Sequence, residues 1–364
     1  MTSVVLFGVF FILLLINVPI AVSIIVATLA TMLLTIDTLP ALTTLAQRLA
    51  VGVDSFALLA IPFFVLSGYL MGQGGIAVRL IEFAKVLVGK LPGGLAFVNI
   101  ISCALFGSIS GSAVAATSAV GGFMIPAMEK EGYNRPFSTA VTVTAATTGM
   151  LIPPSNILII YSLASGGVSI AALFIAGYLP GLLVTALLMV GAGIYIKRAG
   201  IAAGSNIEVG KFWPSLFGAI PCLFLIVLII GGIIGGLFTP TEAGAIAVLY
   251  SLLLALGVYK ELSVKDLYPI LLKTVGTTAI VMFLIGASAS MSWLMSYEEI
   301  PQAISNSLLS VSENAIIILL IMNLILLAVG TFMDVTPAVL IFTPIFLPIA
   351  EMLNISPLHF GIMM

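Results

Sequence analysis

The sequence predicts an all-α polytopic membrane protein with two re-entrant hairpins and broken helices, arranged as an inverted repeat. Three observations predict it. Of 364 residues 61% are hydrophobic and 7% charged, whereas a soluble domain carries about 25% charged residues. Apolar stretches recur from residue 4 to residue 350, several of them shorter than the roughly 20 residues a spanning helix needs. The chain also matches itself at one long offset. Mean hydropathy is +1.31. No basic stripe with interleaved aromatics is present, which argues against nucleic acid. Cys103 and Cys222 lie far apart in apolar stretches, so they read as packing residues and not as a disulfide or metal site. The net charge of -2 carries no information about partners.

Taken in order, apolar spans are expected at 4–16 and 19–36, then an amphipathic arm at 39–51 and a span at 55–73. The run at 4–16 lacks a basic leader and a small-residue cleavage site, so no cleaved signal is expected. Asp54 reads as an N-cap for the third span. Two arms, 93–107 and 111–126, would each rise only about 22 Å at 1.5 Å per residue. That length suits a re-entrant hairpin over 93–128, with a non-helical tip at Ser108 to Ser112 buried among protein or polar groups. A helix at 137–165 is broken by Pro153-Pro154, because proline lacks the donor and clashes with the preceding turn. A return helix is expected at 170–196.

The second half repeats the scheme. Spans at 214–237 and 243–258 are separated by "TPTE", a capping box with Thr239 as N-cap, Pro240 at the first helical position and Glu242 reaching back. A second amphipathic arm is expected at 262–274, a span at 276–297 and a second hairpin at 315–350. With Arg79, Lys85 and Lys90 placed in the cytoplasm, only Arg48 of the twelve Lys and Arg residues falls outside, which is the asymmetry that sets membrane orientation. A shift of 223 or 224 residues places "YLMGQGGI" on "WLMSYEEI", and Gly107, Ser108, Ala115, Ala127 and Phe137 on Gly330, Thr331, Ala338, Ala350 and Phe360. Inverted repeats whose discontinuous helices meet at mid-membrane are the pattern of secondary transporters.

The polar residues at the breaks are the candidate site. Ser108, Ser110 and Gly111 with Thr148 and Gly149 offer hydroxyl and backbone oxygens to a small cation, and Gly330, Asp334 and Thr336 offer a mirror set. Asp334 is the acid this topology places deepest, and intramembrane carboxylates are costly enough to be functional by default. Ser112, Thr147, Pro153, Pro154, Ser155 and Asn156 surround helix N-termini that favour an anion. Small residues at 113–118 suit close helix packing. No Lys or Arg is expected at mid-depth, so an acid would be met by N-termini, hydroxyls and the bound cation. His359, the sole histidine, suits a packing or interfacial role.

The segments "DSFALLAIPFFVLSGYLM", "FGSISGSAVAATSAVGGFMIPAM", "GMLIPPSN", "FTPTEAGAIA" and "PIFLPIAEMLNISPLHFGI" together resemble the large membrane subunit of TRAP transporters, the tripartite ATP-independent periplasmic family of DctM type. The resemblance covers essentially the whole chain. It implies an elevator-type secondary transporter of the bacterial inner membrane that imports organic acids with sodium ions: C4-dicarboxylates, sialic acid, or other sugar and keto acids. It also implies two partners, a small four-helix membrane subunit and a periplasmic substrate-binding protein that delivers the acid. In such a carrier residues 1–90 are the scaffold part of repeat 1 and 91–198 its transport part. Residues 199–275 hold the inter-repeat loop and the second scaffold part, and 276–364 the second transport part. The counterpart of "TTGMLIPPSN" falls at 370–379, past Met364, so only half of the second ion site is within this sequence.

Two other classes are weighed. A channel or passive scaffold subunit shares the hydropathy, and a sodium requirement for uptake separates a carrier from it. An intramembrane serine protease would need Ser110 as nucleophile and His359 as base, yet the repeat assigns them to opposite hairpin systems. No enzyme activity is expected. No residue identifies the acid.

Overall fold

The computed structural model describes residues 2–200, 212–312, 314–331 and 333–364. Among these residues every regular element is helical. The chain opens with α1 (Thr2–Leu15), α2 (Ile20–Thr35) and α3 (Thr38–Gly52), then α4 (Ala60–Gln73) and α5 (Ile76–Val88). The first hairpin is α6 (Gly94–Ser110) and α7 (Ala113–Lys130). Next come α8 (Arg135–Leu151), α9 (Asn156–Ala164), α10 (Ile170–Ala199), α11 (Phe212–Ile234) and α12 (Pro240–Leu252), which runs into a π-helical turn at Leu253–Val258. The last group is α13 (Leu267–Tyr297), α14 (Ile300–Val311), α15 (Ala315–Gly330), α16 (Val335–Met352) and α17 (Pro357–Met363). Among the described residues six helical segments are long and apolar enough to cross a membrane, and α8 with α9, bent by 54°, makes a seventh if the pair is one span. Two compact units emerge, Met1–Leu58 with Ile160–Ser169 and Gly276–Met364, and Leu59–Ile159 with Ile170–Val275.

In the second of these units α10 serves as a ruler. A Cβ on Gly93, at the start of the hairpin, would lie 2.6 Å from Ile196 Cδ1. At the hairpin's other end Tyr133 stacks on Phe137, with centroids 6.2 Å apart, and Phe137 stacks on Tyr195 at 4.2 Å. Both ends therefore sit at the C-terminal end of α10, so the hairpin enters and leaves on one side. The break after α8 meets α10 much earlier: Gly177 is seated against the Leu151 carbonyl and Gly181 against Ile152. From Gly181 to Ile196 is about 22 Å of helix, which places the break deep within a hydrocarbon core of about 30 Å.

Local chemistry makes these turns. Gly93, with φ 90°, and Gly111, with φ 62°, occupy the left-handed region where a side chain is strained. Ser112 is extended and its hydroxyl accepts from Ala115 N at 3.3 Å, starting α7. The capping box at α12 is formed as the sequence predicts, with Thr239 N donating to Glu242 Oε2 at 2.7 Å and Glu242 N to Thr239 Oγ1 at 3.3 Å. Arg79 lies over the Tyr259 ring at 3.8 Å and reaches Glu261 at 3.3 Å, so the start of α5 and the end of α12 share one side. That agrees with the charge asymmetry; Lys211, which belongs to the same argument, lies outside the described residues.

In the other unit, Gly52 and Gly286 let α3 and α13 approach closely, since a Cβ on Gly52 would come 2.5 Å from Ala289 Cβ. Arg48 lies 5.3 Å from the Trp293 ring centroid, and Thr35 Oγ1 donates to Glu298 Oε1 at 2.8 Å. Tyr161 OH donates to Pro357 O at 2.5 Å and its ring covers Gly361, which ties the end of α9 to α17.

Four expectations change. The arm at 262–274 and the span at 276–297 are largely one helix, α13, because Pro269 falls in its first turn, where a missing donor costs little, and no breaker follows. Asp54 does not cap α4, which begins after a 3-10 turn, Phe56–Leu59, with Leu59 at its N-cap. The hairpin tip is shorter than expected: α6 runs on through Ser108 to Ser110, leaving only Gly111 and Ser112 outside the helices. Hydropathy also misses α14, whose Gln302, Ser305, Asn306 and Ser307 dilute an amphipathic helix. The repeat is visible in the element bounds. Shifted by 223 residues, α5, α6 and α7 fall at 299–311, 317–333 and 336–353, against α14, α15 and α16 at 300–311, 315–330 and 335–352.

Candidate functional site

Two glycines build the first site. A Cβ on Gly149 would lie 2.3 Å from Gly107 Cα, and one on Gly107 would lie 2.7 Å from Gly149 Cα. Backbone therefore touches backbone where α6 crosses α8. One turn on, a Cβ on Gly111 would lie 2.9 Å from Asn156 N, so the hairpin tip rests on the first residue of α9. Gly68 of α4 closes a third side, 3.2 Å from Ser110 O by the same measure. The structure thus brings Gly107 and Ser108 against Gly149 and Gly111 against Asn156, with Ser110 facing Gly68 and Thr148 buried next to Gly149.

The hydroxyls here are turned onto their own helices. Ser108 Oγ donates to Leu105 O at 2.8 Å and Thr148 Oγ1 to Ala145 O at 2.7 Å; both side chains are buried. Ser110 Oγ makes longer contacts, 3.5 Å to Gly107 O and 3.4 Å to Ser112 O. A hydroxyl that gives its proton to a carbonyl keeps its oxygen lone pairs for a cation. Pro153 and Pro154, both buried, have no N–H for the carbonyls of Gly149 and Met150 four residues back. The buried Ser155 Oγ and Asn156 Oδ1 have no hydrogen-bond partner at all. Leaving such atoms unpaired costs roughly 1–3 kcal/mol each, and native structures keep few of them. Thr147 stands apart: it is exposed, about 100° round α8 from Thr148, and its hydroxyl donates to Thr144 O at 2.7 Å.

The second hairpin offers a different set. Gly330 ends α15 in the open, with nothing within 4 Å of an added Cβ. Asp334 is the N-cap of α16, its Oδ1 accepting from Val335 N at 2.8 Å, and it is exposed at the tip. Thr336 follows in the first turn, half-buried. Among the described residues no three His, Cys, Asp or Glu side chains gather as a metal cluster, so a cation at either tip would take hydroxyl, carbonyl and single carboxylate oxygens.

One buried polar link was not anticipated. Asn99 Nδ2 donates to Thr142 Oγ1 at 2.7 Å, joining α6 to α8 below the glycine crossing, while Thr142 itself donates to Ser138 O at 2.8 Å. Asn99 is the one amide side chain in the arms of the first hairpin, and that was the available signal. Cys103 packs beside it, Sγ 3.4 Å from Asn99 Oδ1, and Cys222 contacts Tyr259 OH at 3.2 Å; both cysteines are buried and free.

Residues 7–364 match the family model described as "Tripartite ATP-independent periplasmic transporter, DctM component". The chain is 55% identical over 361 residues to the uncharacterized protein YgiK of Salmonella typhimurium, covering 99% of this chain and 83% of that one. It is 36% identical over 376 residues to the C4-dicarboxylate TRAP transporter large permease protein DctM of Rhodobacter capsulatus, covering 100% and 85%. The fold is similar to that of the Alcanivorax borkumensis YdaH transporter, with a TM-score of 0.59 at 15% identity over 90% of this chain and 77% of the other.

Proposed function

This chain belongs to the DctM family of tripartite ATP-independent periplasmic transporters, as a large permease subunit, and from that membership we propose that it imports an organic acid across the bacterial inner membrane by sodium symport. A carrier that does not use ATP must draw on a gradient, and the oxygens at the first hairpin suit a small hard cation. Sodium is cargo in this reading. Ser108, Ser110 and Gly111 with Thr148 and Gly149 hold one ion, and Gly330, Asp334 and Thr336 contribute to a second. The acid, a C4-dicarboxylate by similarity to the relative above, or sialic acid or a related sugar or keto acid, meets Ser112, Pro153, Pro154, Ser155 and Asn156, while Thr147, on another face of α8, stays out of the site.

The observation that carries this reading is the pair of unpartnered buried oxygens, Ser155 Oγ and Asn156 Oδ1, beside the tip that Gly111 presses onto α9. A cation bound between the tip and the break satisfies these two oxygens, leaving the Ser155 O–H and the Asn156 amide N–H groups to donate to the acid, and orders the α7 and α9 N-termini, whose free N–H groups and dipoles favour a carboxylate. Sodium and acid must then raise each other's affinity by the same factor. A moving body made of the hairpins and broken helices, sliding past a scaffold, delivers them inward. A periplasmic binding protein supplies the acid near Gly166, Gly167, Glu298 and Glu299, and a small four-helix membrane subunit accompanies the scaffold.

Ser155→Ala tests the site. Removing an unpaired buried hydroxyl leaves the melting temperature of the purified protein unchanged or raised, while the half-saturating concentrations of both sodium and acid rise in proteoliposome uptake. Unchanged dependence on both ligands removes Ser155 from the site.

A further inference from the structure

A cavity of about 150 Å³ opens between α6, α8 and α10, away from the hairpin tip, lined by Ile100, Phe137, Val141, Thr144, Leu187 and Gly191 among others. It is dry in character: its one hydroxyl, on Thr144, is spent on Ala140 O at 2.7 Å. The volume is about five times that of a water molecule, and apolar cavities of this kind take apolar guests. Gly191 keeps it open, since a Cβ there would meet nothing within 4 Å, and Leu187 at its mouth is 60% exposed. From Phe137 to Thr144 the lining rises about 10 Å.

Beneath the groove, on the side the charge asymmetry assigns to the cytoplasm, the chemistry changes abruptly. The Tyr133, Phe137 and Tyr195 stack forms the floor, as aromatic side chains do at a membrane interface. Arg198 lies on the same face of α10 as Leu187, Gly191 and Tyr195, which precede it by eleven, seven and three residues, and stands beside Lys197. Arg135, 76% exposed, begins α8 next to Tyr133 and makes only a surface pair with Glu129 at 3.5 Å, which holds little of its charge. Among the described residues of these helix ends, Lys130, Arg135, Lys197 and Arg198 outnumber Glu129 and Glu131, four cations against two carboxylates.

We infer that this groove holds the headgroup-end segment of one acyl chain of an anionic phospholipid of the inner leaflet, whose phosphate sits on Arg198, Lys197 and Arg135. Apolar depth above and a cationic rim below match the headgroup and the first methylenes of that molecule, and basic residues near the inner surface favour anionic lipid. The lipid seals α10 to α8 along the face that carries the broken helix. The test uses the full chain in nanodiscs containing, at equal mole fraction, phosphatidylglycerol or phosphatidylcholine with a diazirine in the acyl chain, and maps photolabel by mass spectrometry. Label should fall on peptides spanning 137–144 and 187–192, several-fold more from phosphatidylglycerol. Gly191→Leu, which fills open space, should lose it several-fold. Should that variant fold poorly, the surface double variant Lys197→Gln/Arg198→Gln keeps the fold and should bring the two lipids to equal labelling. Equal labelling of the native chain by both lipids shows ordinary annular lipid and overturns the inference, as does unchanged labelling in folded Gly191→Leu or an undiminished preference in the double variant.

Discussion

Gly107 and Gly149 illustrate how one missing methyl group can decide a site. Each faces the other's backbone, and backbone cannot step aside as a side chain can. Gly149→Ala would push a methyl to 2.3 Å from Gly107 Cα, an overpacking that typically costs about 1–3 kcal/mol. A clearly lower melting temperature and lost uptake are expected, and a native melting temperature would show that the crossing is looser than drawn. Asp334 calls for the opposite kind of variant. It caps α16 through Oδ1, and asparagine caps as well as aspartate. Asp334→Asn should therefore keep stability and membrane insertion while raising the sodium concentration for half-maximal uptake. Unchanged sodium dependence would leave Asp334 a cap and nothing more.

At the scale of elements, the breaks were legible because their signals are local. Pro153-Pro154 removes two donors whatever surrounds it, "TPTE" closes on itself, and the short arms cannot span; so α6 to α9 and the α12 cap stand where the sequence places them. What was hidden depends on neighbours. Ser108 and Ser110 stay helical because Gly111 N reaches back to Gly107 O at 2.7 Å and postpones the turn to the glycine. The Asn99 to Thr142 link and the Gly68 contact need two helices to meet, and no spacing within one helix announces them. The amphipathic α14 and its counterpart α5 both escape a reading by hydropathy alone, because the polar face of each dilutes its apolar stripe. The proline pair itself is open to trial. Pro153→Ala/Pro154→Ala restores donors for the Gly149 and Met150 carbonyls and removes what blocks a continuous helix there. A protein that melts no lower yet has lost sodium-dependent uptake is the expected result; full uptake would mean that the break is not needed for transport.

For the whole molecule, compactness and motion are separate properties. Residues that pack into one unit can still belong to bodies that slide, and the proposed elevator assigns 1–90 and 199–275 to the scaffold and 91–198 and 276–364 to the moving part. Gly68 and Ser110 fall on opposite sides of that division while lying in contact, with a Gly68 Cβ 3.5 Å from Ser110 Cβ. That is within the Cβ separation of a disulfide, about 3.5–4.5 Å. Gly68→Cys/Ser110→Cys should therefore oxidise readily, with the reduced double variant and Ser110→Cys alone setting the baseline for any loss of an oxygen ligand. If the hairpin travels past α4 in each cycle, the disulfide stops uptake and reductant restores it to that baseline, while binding of acid and sodium survives in the locked state. If instead the fully oxidised carrier transports as fast as the reduced one, α4 moves with the hairpin and the scaffold must be drawn without it.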